Sequence, residues 1–179
     1  MSAFSECYSV VFIVILDKNL PAKSDVYVAY NNSMVLFRVE GLGNMNNTKG
    51  LYNIFQECSD KGIVDVCINL EKCEGVDSTF MGTLLLMFEE AGSNGGNLYV
   101  INASDYVKEK LDELGVSQII NINSSCDIPE LEYCMIEETE DNKERMCHIL
   151  KAHEELIKNN EENEKKFKSF IKALKSSFK

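Results

Sequence analysis

The chain has 179 residues, enough for one domain with extensions and for a core that needs no covalent staples. Its hydrophobic content of 45% and charged content of 26% are those of an ordinary globular protein. A net charge of −11 argues against nucleic acid as the main partner, because phosphate binding calls for clustered positive charge.

Val10–Leu16 is an unbroken apolar run, too short to cross a membrane and not preceded by Lys or Arg as a signal peptide would be. It is either an added strand or an upstream extension from a wrong start codon, so residues 1–23 are set apart as an N-terminal extension. Val26–Tyr30 and Met34–Glu40, joined by Asn31-Asn32-Ser33, predict a β-hairpin whose turn residues tolerate positive φ. Gly41-Leu42-Gly43-Asn44 ends the second strand. No third glycine or helix follows at dinucleotide spacing, so it reads as a turn.

Asn47 or Thr48 opens a first helix, on which Leu51, Ile54, Phe55 and Cys58 make an apolar stripe that Gly62 terminates. Ile63–Leu70 is nearly all apolar, the pattern of a strand covered on both faces. Then comes Val76-Asp77-Ser78-Thr79-Phe80-Met81-Gly82, followed by a helical apolar run from Thr83 to Phe88 that Gly92 is expected to stop. Asp77, Ser78 and Thr79 therefore lie between a buried strand and a helix. Their side-chain oxygens suit them to cap it, and a hydroxyl there sits at the positive end of the helix dipole.

Leu98–Ile101 predicts a short strand, Ser104 opens a third helix lined by Val107, Leu111 and Leu114 and closed by Gly115, and Ile119–Ile122 predicts a last core strand. Strand–helix–strand units of this kind imply parallel neighbours, hence an α/β fold with a mixed sheet. Residues 124–179 differ in composition. Glu137–Asp141 is an acidic run placed to cap a helix on which Met146, Ile149, Leu150, His153 and Ile157 share a face. Asn159-Asn160 interrupts the pattern. A final helix carries Phe167, Phe170, Ile171, Leu174 and Phe178 as its stripe, and between Glu164 and Lys179 six Lys against one Glu give a local charge of +5. Such a helix is expected to pack on its own domain or on a second copy (a homodimer) rather than lie on a membrane.

A strand, then Asp-Ser-Ser/Thr, then a glycine-containing apolar helix resembles the STAS domain of bacterial anti-sigma factor antagonists. Gly82 matches the second glycine of the family pattern, whereas Phe80 stands where many members have glycine. The resemblance covers roughly residues 24–123 and implies a STAS-like fold there, with 124–179 as a helical tail. It also implies a cytoplasmic protein that is not an enzyme and needs no cofactor. In its unphosphorylated form it would bind an anti-sigma factor serine kinase, be released on phosphorylation of Ser78, and be restored by a serine phosphatase. Carried over residue by residue, the partner-binding surface is Asp77, Ser78, Thr79, Phe80, Met81 and Gly82. The alternative is a non-switching STAS scaffold or regulatory subunit of a signalling or lipid-transport assembly; small-ligand binding has no residue to support it.

The residues bear on two further chemistries. Ser78 as a hydrolase nucleophile needs a base and an orienting acid, but no His occurs in residues 1–147 and the G-x-S-x-G elbow is missing. His148 and His153 are five apart, off the i, i+4 spacing of a helical metal pair, although Cys147 adjoins the first, so no metal is expected. Seven cysteines without a C-x-x-C pair are expected to be reduced, partly buried thiols.

Overall fold

A computed structural model describes residues 24–122, 131–136 and 141–177. The Val10–Leu16 run, Glu137–Glu140 and Phe178 lie outside the described residues. The hairpin consists of β1 (Asp25–Tyr30) and β2 (Met34–Gly43), paired antiparallel. Its turn does not use positive φ: Asn31 Oδ1 accepts from the backbone N–H groups of Ser33 and Met34 at 2.8 and 2.9 Å, so a side chain closes the turn.

From β2 the chain passes through α1 (Thr48–Asp60) to β3 (Asp65–Val76), then through α2 (Ser78–Ser93) to β4 (Leu98–Ile101). Both strand pairs made this way are parallel, as helical crossovers require. α3 (Asp105–Glu113) follows, capped by Ser104, whose Oγ accepts from Val107 N, and ended by Gly115 at φ +78°. A short edge strand, β5 (Cys134–Met135), pairs antiparallel with β1, giving a mixed sheet of order β4-β3-β2-β1-β5.

Alternation along the strands sorts the side chains. Val35, Phe37 and Val39 on β2 and Val66, Ile68 and Leu70 on β3 are fully buried and belong to the main core, with Leu51 and Phe55 of α1 and Leu84, Leu85 and Met87 of α2. Leu36 and Cys67 point the other way and, with Ile101, form a smaller cluster against Met34, Tyr99, Leu131 and Tyr133. On that face the Arg38 guanidinium lies 4.8 Å from the Tyr27 ring centre and 4.5 Å from that of Tyr133.

Several expectations need correction. Gly41-Leu42-Gly43 is not a turn: β2 runs through it, paired with Cys73, Gly75 and Val76 of β3 across a bulge. The strand predicted over Ile119–Ile122 reduces to one isolated bridge, Val100 to Ile122, because a 3₁₀ turn at Val116–Gln118 takes up the run before it. Gly92 does not stop α2; the helix runs on to Ser93, and Gly95 supplies the left-handed residue at φ +81°. Finally, Cys58, Cys67, Cys73 and Cys147 are free thiols, but Cys134 is disulfide-bonded.

The chain ends in two helices, α4 (Asn142–Asn159) and α5 (Glu161–Ser176). Asp141 caps α4, its Oδ1 accepting from Lys143 N and Glu144 N. Asn160 is both the last cap of α4 and the first of α5, so the two helices meet at a single residue. Asn163 locks the elbow, donating from Nδ2 to the carbonyls of Leu114 and Leu156 at 3.0 Å. The buried face of α4 is His148, Ile149, Ala152, His153, Glu155 and Leu156. It is rotated from the expected stripe, since Ile157 is only half-buried. Burial of Ile149 and Leu156 contributes about 2 kcal/mol each.

Candidate functional site

α2 is apolar almost all round, with every residue from Thr79 to Leu85 buried. A helix of this kind needs cover on both sides. The sheet and α1 cover one side, and α4 crosses the other. The crossing is close: a Cβ on Gly82 would stand 2.1 Å from the carbonyl oxygen of Ala152, so only glycine admits α4 there.

Asp77 sets the start of α2. Its Oδ1 accepts from Phe80 N at 2.8 Å, its Oδ2 accepts from Met45 N at 2.9 Å, and its backbone N–H donates to Gly43 O at 2.9 Å. One side chain thus caps the helix and ties it to the loop after β2. Ser78 is the first residue of the helix, half-buried. A helix cannot satisfy its first-turn N–H groups internally, so those of Ser78 and Thr79 lie at the end that favours an anion.

The remaining expected site residues point inward. Thr79, Phe80 and Met81 are at most 4% exposed. The Phe80 ring lies against Gly43, where a Cβ would be 2.7 Å from it, so a glycine across the gap accommodates the large side chain that departs from the family pattern. Phe80 and Met81 serve the core, and Gly82 serves the α2–α4 crossing. Asp77 and Ser78 are the two members of the expected surface that are not buried.

Two histidines from α4 meet α2 on either side of Gly82. His153 Nε2 lies 2.9 Å from Ser78 Oγ, and its Nδ1 lies 2.8 Å from the carbonyl oxygen of Ile149. A carbonyl only accepts, so Nδ1 carries the hydrogen and Nε2 accepts from the Ser78 hydroxyl. His148 Nε2 lies 2.9 Å from Thr83 Oγ1. That hydroxyl already donates to Thr79 O at 2.7 Å, so here Nε2–H of His148 is the donor. The two imidazoles are opposite tautomers, each fixed by its partners. Burial drives the His148 pKa down to about 4, helped by Lys49 and Lys151. Burial also lowers His153, against the opposite pull of the Ile149 carbonyl and of Asp77. The rings of Phe167 and Phe170 from α5 close over His153, both at 4.8 Å.

The fold therefore brings a base to Ser78 from the far end of the chain, although no His occurs in residues 1–147. The pair is not assembled as a nucleophile, because a backbone carbonyl rather than a carboxylate holds Nδ1 and the Phe rings cover the imidazole. Among the described residues no group of three or more His, Cys, Asp or Glu is placed to hold a metal ion, and no helix is long and apolar enough to cross a membrane.

A family model for the STAS domain matches residues 26–127. The chain belongs to the STAS-domain family. The match ends before α4, so the two terminal helices are additions to the STAS domain. Among solved structures the chain is similar to a Thermotoga maritima protein provisionally assigned as an anti-sigma factor antagonist. They share 20% identity with a TM-score of 0.49, over 55% of this chain and 85% of that one. It is also similar to the anti-sigma factor antagonist SpoIIAA in its unphosphorylated form, at 15% identity and a TM-score of 0.48, over 52% and 84% of the two chains. No individually curated protein matches.

Proposed function

We propose that this STAS protein is a phosphoswitch of the anti-sigma factor antagonist type. Unphosphorylated, it binds an anti-sigma factor serine kinase in the cytoplasm; phosphorylation of Ser78 releases it, and a serine phosphatase resets it. It acts by binding and not by catalysis. The observation that carries this reading is the position of Ser78, a hydroxyl on the first residue of α2 directly after the Asp77 cap. A phosphate there gains from the helix dipole and from the first-turn N–H groups, while Asp77 repels it at close range. The fold tolerates the added charge, and what changes is the surface offered to a partner.

The scaffold alternative has one observation in its favour. Ser78 already has its hydroxyl engaged by His153 beneath α4, as a residue with only a structural task would. Incubation with ATP and an anti-sigma factor serine kinase from the same genome, followed by peptide mass analysis, separates the two. The switch requires one phosphate on Ser78 that disappears in Ser78→Ala. A stable complex with no phosphate supports the scaffold instead.

A further inference from the structure

Given the switch reading, the partner of Ser78 must reach a face of the STAS domain that another part of the chain occupies. α4 crosses α2 at Gly82, holds the Ser78 hydroxyl through His153 and the Thr83 hydroxyl through His148, and buries Ala152 completely. The rim of this contact is electrostatic. Lys158 Nζ lies 2.5 Å from Glu89 on α2, with Glu155 at 3.3 Å, and Lys49 on α1 lies 3.8 Å from Glu144. α5 then lays Phe167 and Phe170 over His153.

We propose that the outer face of α2 is a helix-docking surface, and that α4 is its internal occupant, an autoinhibitory cap that must swing away before Ser78 meets a partner. Three features support a detachable cap rather than an integral layer. The STAS match ends before α4. The polar contacts at the crossing are one hydrogen bond at each of two neutral imidazoles, accepted by His153 and donated by His148, joined by exposed ion pairs of the kind that contribute little. And α4 and α5 share one cap residue, Asn160, so the hairpin can move as a unit. The surface uncovered would run from Ser78 through Gly82 to Glu89. It fits a helix that carries a small residue at the crossing, as Ala152 does now.

The test does not depend on Ser78 being phosphorylated. In the full chain carrying Ser78→Cys, the rate at which a bulky fluorescein maleimide labels the introduced thiol is read by peptide mass analysis. Exposed Cys147 is the reference, and buried Cys58, Cys67 and Cys73 report whether the core stays closed. The introduced thiol is expected to label at least about tenfold more slowly than Cys147, as a site reached only through local opening does. Ala152→Phe, which cannot be seated against Gly82, is expected to bring it close to the Cys147 rate while the three buried thiols stay protected. If Ala152→Phe exposes those thiols, Gly82→Ala takes its place; its single added methyl meets the Ala152 carbonyl and displaces α4 from the other side of the crossing, and the same acceleration is expected. The proposal is overturned if the introduced thiol labels as fast as Cys147 with α4 and α5 otherwise unaltered. It is also overturned if the opening variant leaves that thiol slow with the core intact. Slow, cap-dependent labelling in a protein that no kinase modifies leaves the cap standing and removes the switch.

Discussion

Gly82→Ala tests the seating of α4 through the sign of its effect. On an isolated helix the change is favourable by about 1 kcal/mol, because glycine is the poorer helix former. In this fold the new Cβ falls 2.1 Å from the Ala152 carbonyl oxygen, where an ordinary carbon–oxygen contact is about 3.3 Å. Backbone opposes backbone, so no rotamer relieves the clash and α4 must retreat by roughly 1 Å. The Ser78–His153 and Thr83–His148 bonds, both 2.9 Å and on either side of the crossing, then open beyond hydrogen-bonding range. Losing them costs about 1 kcal/mol each, and separating packed surfaces costs about 1–3 kcal/mol more. After subtracting the helix gain, a net loss of about 2–4 kcal/mol is expected. Equilibrium urea unfolding of the full chain measures it as a lowered midpoint. A raised midpoint would refute the close crossing and everything built on it.

The histidines make stability pH-dependent. The folded value of His148, about 4, lies below its ordinary 6.5, so the unfolded chain takes up the proton first as pH falls. The stabilisation is fully present above pH 6.5 and is lost towards pH 4, by about 3 kcal/mol at most, with His153 acting in the same direction. Urea midpoints across that window should fall with pH, and His148→Gln should flatten the slope. Asp77→Ala removes the cap on Phe80 N and the brace on Met45 N, for an expected loss of about 1–2 kcal/mol in thermal denaturation followed by circular dichroism. Tyr52→Phe deletes the hydroxyl that donates to Glu90 Oε2 at 2.7 Å and links α1 to α2; urea unfolding should show a loss of about 1 kcal/mol with no change of fold.

Most of the STAS domain is legible in the sequence because its signals are local. The Asn31 turn, the Gly62 and Gly115 terminators, the Ser104 cap and the two parallel crossovers each follow from a few neighbouring residues. The family motif locates Ser78 at the head of a helix for the same reason. The features that escape a sequence reading depend on distant partners. The two residues of β5 have meaning only beside β1. The inner face of α4 departs from the apolar stripe because His148 is polar and Ala152 is small, so neither registers as apolar, yet both are buried. A clue is present in α2, whose apolar residues surround the helix and so require a cover beyond the sheet. The five-residue spacing of His148 and His153 does not suit a metal pair; it is instead the spacing that reaches two hydroxyls on a crossing helix.

If α4 is the proposed cap, it competes with a partner from within the same chain, at an effective concentration on the order of millimolar. A free partner at about a micromolar level must therefore bind the uncovered face about a thousandfold more tightly than an untethered α4 would, merely to hold half of the molecules open. The tether would thus act as an affinity filter. On that proposal, weak helical binders would be ignored however often they collide, and a partner strong enough to pass the filter would capture Ser78 together with the whole length of the α2 face.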